Sequence, residues 1–261
     1  MPKRITFALQ KGGVGKTTST VSTAEILAAA GYRVLVVDFD SQGNATKMLT
    51  GMSIYSFSGR TIMEAIQEGD AEPYIVSPAD NLDLLPAEDR LAAFSRYIYT
   101  ARIDNPYAAL KRILEPIEGR YDYIFIDVGP ELGDKAINAI VYADLIIIPV
   151  DMGDLAMDAM VRFMEFVDET RKEGHTDAVI AGILLTMRDG RPIRYERDIT
   201  EGLRSTYGDL VFKSEIRRLT KIKEIGAGGV DLEDPAMADY ISLAEEIIER
   251  SRYYKEATHH E

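Results

Sequence analysis

A glycine-rich segment at residues 10–18 has the residue types and the order of a phosphate-binding loop. It follows the apolar run Ile5–Leu9, precedes a helical pattern and contains the string Gly15-Lys16-Thr17. Glycines let backbone N–H groups converge on phosphate oxygens without Cβ clashes, and a helix N-terminus adds a favourable dipole. We expect Lys16 to reach the β- and γ-phosphates of a nucleotide and the Thr17 hydroxyl to bind Mg²⁺. The predicted nucleotide-binding residues of this segment are Gly12, Gly13, Val14, Gly15, Lys16, Thr17 and Thr18.

Acidic residues stand at the ends of two other apolar runs. Asp38 and Asp40 follow Val34–Val37, and Asp127 follows Tyr123–Ile126. Ligands gather at the carboxyl ends of parallel strands, so these carboxylates should lie beside the phosphate-binding loop. An aspartate that ends a hydrophobic strand beside such a loop holds Mg²⁺, commonly through water. The sequence therefore predicts Asp127 as a magnesium ligand.

The elements that must position these residues follow from the alternation of short apolar runs with helical patterns. The runs are almost unbroken, as in strands that are covered on both faces. This predicts a single-domain α/β fold over residues 1–255, with a doubly wound, mostly parallel sheet flanked by helices, and a flexible tail at residues 256–261. The predicted strands are Ile5–Leu9, Val34–Val37, Leu82–Leu85, Tyr123–Ile126, Leu145–Val150 and Val179–Leu185. The predicted helices are Thr18–Ala30, Asn105–Glu118, Asp134–Tyr142, Ala156–Glu173, Tyr195–Tyr207 and Asp234–Tyr254.

The composition of the 261-residue chain excludes several kinds of site. There is no cysteine, which excludes disulfides, iron–sulfur clusters and thiolate zinc sites. Two of the three histidines lie in the last three residues, so a histidine-based metal site is not expected. No secretory signal opens the chain and no apolar run approaches the ~20 residues of a membrane helix, which predicts a cytoplasmic protein.

The string Lys-Gly-Gly-Val-Gly-Lys-Thr-Thr at residues 11–18 resembles the deviant Walker A motif of the ParA/MinD family of P-loop ATPases. The resemblance implies a Mg²⁺-dependent ATPase in which ATP drives the formation of a sandwich homodimer. It also implies that Lys11 crosses the dimer interface to the phosphates of the partner's nucleotide, much as an arginine finger does. Lys11 and Lys16 would then be the two catalytic cations.

The segment at residues 38–44 is similar to the family's Asp-x-Asp-Pro-Gln-Gly-Asn motif, with Ser41 where proline is usual. By that match, Asp40 orients the attacking water as the third catalytic residue. Asp38 supports the site or the outer shell of the metal.

The loop after Asp127 corresponds to the family's nucleotide-sensing switch, which the match assigns to Gly129 and Pro130. The family usually has a hydroxyl or thiol residue and then a proline where this chain has Val128 and Gly129. The departure bears on the hydrolysis rate and on coupling, whereas Asp127 itself is retained.

Among the branches of the family, the chain resembles the compact Soj/ParA group. Iron proteins of nitrogenase need cysteine ligands, and MinD-type proteins end in a basic membrane helix, whereas the final helical pattern here has an acidic polar face. The resemblance therefore implies no membrane partner. It implies a ParB-like centromere-binding partner and the segregation of a plasmid or chromosome.

A basic segment stands out in a chain with a net charge of −13, which is not an obvious nucleic-acid binder as a whole. Residues 188–223 hold ten basic and six acidic side chains, a local balance of +4. Such a patch could neutralise DNA phosphates without reading bases. The residues expected to contact non-specific DNA, and so to place the protein on the nucleoid, are Arg188, Arg191, Arg218 and Lys221. The alternative interpretation is a solvated charged face.

Two other functions remain open at this stage. The same ATPase could position another cargo, such as a chemoreceptor array or a microcompartment. A nucleotide-gated binding protein with negligible turnover would also be compatible with Val128 and Gly129.

Overall fold

The computed structural model describes residues 1–188, 194–218 and 234–257, and within these ranges eight strands form one sheet. The strands are β1 (Lys3–Phe7), β2 (Val34–Phe39), β3 (Val76–Ala79), β4 (Leu82–Leu85), β5 (Tyr123–Val128), β6 (Leu145–Val150), β7 (Val179–Arg188) and β8 (Val211–Arg217). Their order across the sheet is β3-β4-β2-β5-β1-β6-β7-β8. Neighbouring strands are parallel except at one edge, where β3 is antiparallel to β4.

Helices cover both faces of the sheet. They are α1 (Lys16–Ala29), α2 (Asn44–Thr50), α3 (Ile62–Glu68), α4 (Phe94–Thr100), α5 (Ala109–Leu114), α6 (Asp134–Tyr142), α7 (Asp154–Lys172), α8 (Arg194–Tyr207) and α9 (Ala238–Ala257). One cluster of buried apolar side chains joins the sheet to α3 through α8, and a second joins it to α1, α2 and α9. The predicted doubly wound, mostly parallel α/β fold is therefore confirmed.

Strand β2 illustrates why the apolar runs are unbroken. All six of its residues are buried. Val34 and Val36 belong to one cluster, and Leu35 and Val37 belong to the other, because successive side chains of a strand point to opposite faces. A strand covered on both faces needs apolar residues at every position until it reaches the polar edge of the sheet.

The structure also contains elements that the apolar pattern does not mark, namely β3, β8, α2, α3 and α4. The predicted helix Asn105–Glu118 is too long, since the α-helix covers Ala109–Leu114. Pro106 begins a separate 3₁₀ turn, and Pro116, two residues after the helix, has no N–H with which to continue its hydrogen bonds.

The last described helix, α9, continues through Ala257, two residues into the segment predicted as a tail. Residues 258–261 lie outside the described ranges. None of the helices in the described part of the chain is both long and apolar enough to span a bilayer.

Candidate nucleotide-binding site

The loop between β1 and α1 has the backbone geometry that its glycines predict. Gly13 and Gly15 have φ angles of +76° and +83°, in the left-handed region that glycine favours. Gly15 is the N-cap of α1, and no side-chain hydrogen bond caps this helix end. The N–H groups of the first turn are the donors that commonly bind phosphate at a helix N-terminus.

Lys16 begins α1, and its side chain is buried. Its Nζ donates a hydrogen bond of 2.6 Å to the carbonyl oxygen of Lys11. Burial lowers the pKa of Lys16, while the negative charges of Asp127 and Asp40 oppose that shift. The loop lysine and the two carboxylates, which the sequence places far apart, therefore form one electrostatic site.

Asp38 and Asp127 are brought together by strand register, since they are directly paired between β2 and β5. Asp38 is buried and accepts hydrogen bonds from the amide and the hydroxyl of Thr46, at 2.8 and 2.7 Å. Burial raises the pKa of Asp38 to about 6, against the lowering effect of these hydrogen bonds. Because Thr46 belongs to α2, the carboxylate ties this helix to the sheet, in keeping with a supporting role.

Asp127 is completely buried, and neither carboxylate oxygen makes a hydrogen bond within the described residues. Burial raises its pKa well above the ordinary value, and the charge of Asp38 adds to the shift. The hydroxyl of Thr17 is close enough to oppose the rise without meeting the geometry of a hydrogen bond. A buried carboxylate without a partner is costly, and a divalent cation would compensate that cost.

The donor set at this point fits Mg²⁺. It combines the carboxylate of Asp127 with the hydroxyl of Thr17, and Mg²⁺ prefers oxygen ligands. The described residues contain no group of three or more histidine or acidic side chains that could hold a metal. Sites of this kind complete the coordination with phosphate oxygens and water.

Asp40 follows β2, and its carboxylate is partly exposed. Its Oδ1 accepts a hydrogen bond of 3.1 Å from the amide of Gln42, and its own amide donates to Asp38 at 3.3 Å. Gly129, the first residue after β5, lies directly against the Asp40 carboxylate, and the next residue, Pro130, is exposed. The structure thus brings the predicted water-orienting residue into contact with the predicted switch.

Lys11 has a partner that sequence analysis missed. Its Nζ bonds Oδ1 of Asp151 at 2.5 Å, and each of these side chains is 24% exposed. Asp151 directly follows β6. Its position at the carboxyl end of a buried strand is the same sequence pattern that identified Asp127, and it could have identified Asp151 as well. Gly153 also borders the ammonium, since a Cβ at that position would lie 3.4 Å from Nζ.

A cavity of about 450 Å³ adjoins the loop on the side of α1 and α9. Its walls include Thr17, Thr18, Met187, Arg217 and Tyr240. Met187 has a φ of +55°, which is uncommon for a residue with a side chain. No sequence pattern marks Met187 as part of the site. The cavity is of the size that a nucleotide base and sugar require.

The predicted DNA-binding residues do not all lie on one surface. Arg188 is buried and bonds Glu215 at 3.1 Å and the Thr200 hydroxyl at 3.0 Å, so its donors point into the protein. The expectation that Arg188 contacts DNA is therefore corrected. Arg218 is exposed. The other two residues of this prediction, Arg191 and Lys221, lie outside the described ranges.

Comparison with known proteins places these features in a family. The sequence model of the family described as "AAA domain" matches residues 2–180. The sporulation initiation inhibitor protein Soj of Bacillus subtilis is 35% identical over 255 residues, which cover 95% of this chain and 98% of that protein. The chromosome partitioning protein ParA of Caulobacter vibrioides is 31% identical over 258 residues, covering 95% and 94% of the two chains.

Solved structures agree with the sequence matches. A putative plasmid partition protein from Borrelia burgdorferi, bound to AMPPNP, superimposes with a TM-score of 0.81 at 28% identity, covering 95% of this chain and 99% of the other. Cobyrinic acid a,c-diamide synthase from Mycobacterium smegmatis, with bound ADP and magnesium, has a TM-score of 0.83 at 26% identity, covering 97% and 96%. The loop geometry, the paired strand-end aspartates and these matches together show that the chain belongs to the AAA domain family, among the P-loop ATPases of the Soj/ParA type.

Proposed function

We propose that this chain is a Mg²⁺-dependent ATPase whose ATP-bound homodimer binds DNA non-specifically and takes part in plasmid or chromosome partition. The observation that carries the proposal is the buried, unpartnered carboxylate of Asp127 beside the Lys16 ammonium, at the mouth of the glycine loop. Relatives named for chromosome partitioning, and a partition protein solved with an ATP analogue, support the same conclusion.

The residues of the site divide the work of binding and hydrolysis. The first-turn amides of α1 and the ammonium of Lys16 hold the phosphates, and Thr17 and Asp127 hold Mg²⁺. The metal supplies positive charge that neutralises the phosphate oxygens. Asp40, whose carboxylate is partly exposed beside the switch, accepts a hydrogen bond from the attacking water and orients it.

Lys11, the second lysine of the loop, is proposed to act only when two chains associate. Lys11 has an ammonium at the partly exposed rim of the loop, and in this proposal it reaches the phosphates of the nucleotide held by the partner chain. Such a cation stabilises the charge that builds up during phosphoryl transfer. ATP then serves as the bridge that holds two copies together.

In this proposal, DNA binding requires the basic patches of two chains, because each patch alone binds DNA weakly. The exposed Arg218, together with Arg191 and Lys221, provides cations for phosphates, but the chain carries a net charge of −13. Linking two patches in one assembly raises affinity through effective concentration, without new contacts. A ParB-like partner would stimulate hydrolysis and so release the dimer from the nucleoid.

The direct test is a fluorescence-anisotropy titration of unrelated DNA duplexes with and without ATP. We expect binding with ATP and Mg²⁺ and little binding without them. Lys11→Ala should lose DNA binding although Lys11 is not proposed to touch DNA, because the dimer would not form. Equal binding of DNA without nucleotide would rule out gating by ATP.

One feature favours a second candidate, nucleotide-gated binding without appreciable turnover. Val128, which follows Asp127, is buried and has no hydroxyl to offer to a phosphate. Steady-state release of inorganic phosphate, measured with DNA present, separates the two functions. ATP-dependent DNA binding with no phosphate release would favour the second.

A further inference from the structure

We propose that Asp151 is a positioning residue that holds the Lys11 ammonium inside its own chain and thereby opposes ATP-driven dimerisation. The inference rests on the proposed function, because it concerns the same lysine. In this inference, the Asp151 carboxylate competes with the partner's phosphates for Lys11. That competition raises the concentrations of ATP and protein that dimerisation requires.

Residue 11 is held at two points. Its ammonium bonds Oδ1 of Asp151 at 2.5 Å, and its carbonyl oxygen accepts the 2.6 Å hydrogen bond from Lys16. The first contact links the loop to the end of β6, and the second links it to the start of α1. Lys11 is thus fixed in its main chain and in its side chain at once.

The Lys11 ammonium needs the Asp151 carboxylate in this position because it lies beside the N-terminus of α7. Gly153 is the N-cap of α7 and borders the Lys11 ammonium. A helix N-terminus carries partial positive charge, which disfavours a cation in its first turn. The carboxylate of Asp151 offsets that repulsion, so without it the ammonium would be driven away from its own chain.

In this proposal, the two partners of Lys11 are competitors. The ammonium leaves Asp151 of its own chain when it binds phosphates in the partner chain. A symmetric dimer must therefore break two Lys11–Asp151 contacts. A partly exposed ion pair changes an equilibrium constant by a factor of about 1.4 to 5.4, so the loss of two such pairs changes the dimer dissociation constant roughly 2- to 30-fold.

The experiment compares Asp151→Asn with Asp158→Asn, which removes the same charge from an exposed position on α7. Sedimentation equilibrium with AMPPNP and Mg²⁺ gives the dimer dissociation constant without hydrolysis. We expect Asp151→Asn to lower it by roughly 2- to 30-fold and Asp158→Asn to leave it near the wild-type value. Asp151→Glu keeps a carboxylate and should restore weaker association. The difference should shrink in high salt, which screens a partly exposed pair.

A second measurement follows the contact in single chains, without nucleotide. Contact with Asp151 restricts the access of a reagent to Nζ of Lys11, so acylation of Lys11, followed by peptide mass spectrometry, should be several-fold faster in Asp151→Asn than in wild type. Asp158→Asn should react like wild type. Equal Lys11 reactivity in Asp151→Asn and wild type would overturn the inference whatever happens to dimerisation.

The outcomes also separate this inference from the proposed function. If wild type dimerises with AMPPNP and Asp151→Asn dimerises equally or more weakly, Asp151 does not oppose association and the proposed function stands alone. If neither protein dimerises at any concentration, the proposed function fails and the inference fails with it.

Discussion

Gly129 lies so close to the Asp40 carboxylate that a Cβ at position 129 would stand 3.2 Å from Oδ2 and 3.4 Å from Oδ1. The Asp40 carboxylate can occupy this position because residue 129 has no side chain. Since Asp40 is the residue proposed to orient water, the proposed switch loop and the proposed hydrolytic group lie next to each other. A side chain at position 129 would therefore displace the carboxylate.

The first prediction concerns this contact. Gly129→Ala should push the Asp40 carboxylate aside by a few tenths of an ångström, and small misplacements of catalytic groups lower rates disproportionately. We expect kcat for ATP hydrolysis to fall roughly tenfold, with ATP affinity nearly unchanged. Gly133→Ala is the matched control, because a Cβ there would meet no heavy atom within 4 Å. Equal rates in the two variants would show that the contact does not matter.

Lys16→Ala should lose ATP binding. The substitution removes the buried cation of the loop, and a hydrogen bond to a charged group contributes about 1.5–3 kcal/mol, of which Lys16 would make more than one to phosphate. Isothermal titration calorimetry with ATP and Mg²⁺ measures the effect. Lys172→Ala, at an exposed position paired with Asp168, serves as the control and should bind like wild type. Near-native affinity in Lys16→Ala would contradict the assignment of the loop.

Asp40→Ala should bind ATP but trap the dimer. Removing the group that orients water is expected to slow hydrolysis by about 10²- to 10⁴-fold, while the phosphate and metal contacts remain. Size-exclusion chromatography with ATP should show a dimer that persists for far longer than the wild-type dimer. A variant that hydrolyses ATP at the normal rate would exclude the proposed role of Asp40.

Asp127→Asn should stabilise the chain while abolishing Mg²⁺-dependent hydrolysis. The pKa of Asp127 is higher in the folded than in the unfolded chain, so the folded chain binds the proton more tightly. The ionised carboxylate therefore costs stability above the folded pKa, and that cost disappears as the pH falls towards 3.8. Without nucleotide or Mg²⁺, we expect the free energy of unfolding at pH 8 to rise by about 1–3 kcal/mol.

This gain should shrink towards pH 5, as denaturant unfolding at several pH values would show. Asp122→Asn is the control of opposite sign, since hydrogen bonds from Arg33 lower the pKa of Asp122. That ionised carboxylate stabilises the fold above the unfolded pKa, and the benefit is lost as pH falls through the lowered value. An Asp127→Asn protein that is less stable than wild type at pH 8 would contradict the argument.

Arg218→Glu should lose DNA binding while still forming the ATP-dependent dimer. Wild-type affinity should fall steeply with salt, because released counterions supply most of the binding free energy. Anisotropy titrations at two salt concentrations measure both effects. Arg96→Glu makes the same charge change at an exposed position on α4, which packs against α6, and should bind DNA like wild type. Loss of dimerisation in Arg218→Glu would remove the evidence for a separate DNA surface.

Much of the fold could be predicted because the central strands are buried on both faces. Such strands leave unbroken apolar runs, and all six predicted runs correspond to strands. Strand β8 was missed because Lys213 and Glu215 interrupt its apolar pattern at the end of the sheet. The short helices α2 to α4 contain too few turns for a periodic pattern to stand out.

The candidate site was predictable where chemistry restricts the residue types, as in the glycine loop and the strand-end aspartates. It was not predictable where partners meet only through folding. Asp151 lies 140 residues from Lys11 in the chain, and Arg188 was expected to contact DNA although its donors bond Glu215 and Thr200. Spacing along a sequence does not reveal such long-range pairings.

The antiparallel edge strand β3 has a consequence for how copies of this protein can meet. Pro78 lies within it and has no N–H to donate, and the pairing of β3 with β4 shifts register between Val76 and Ala79. An irregular edge that contains proline is a poor template for another strand. A high local concentration of the protein therefore should not lead to sheet extension at this edge.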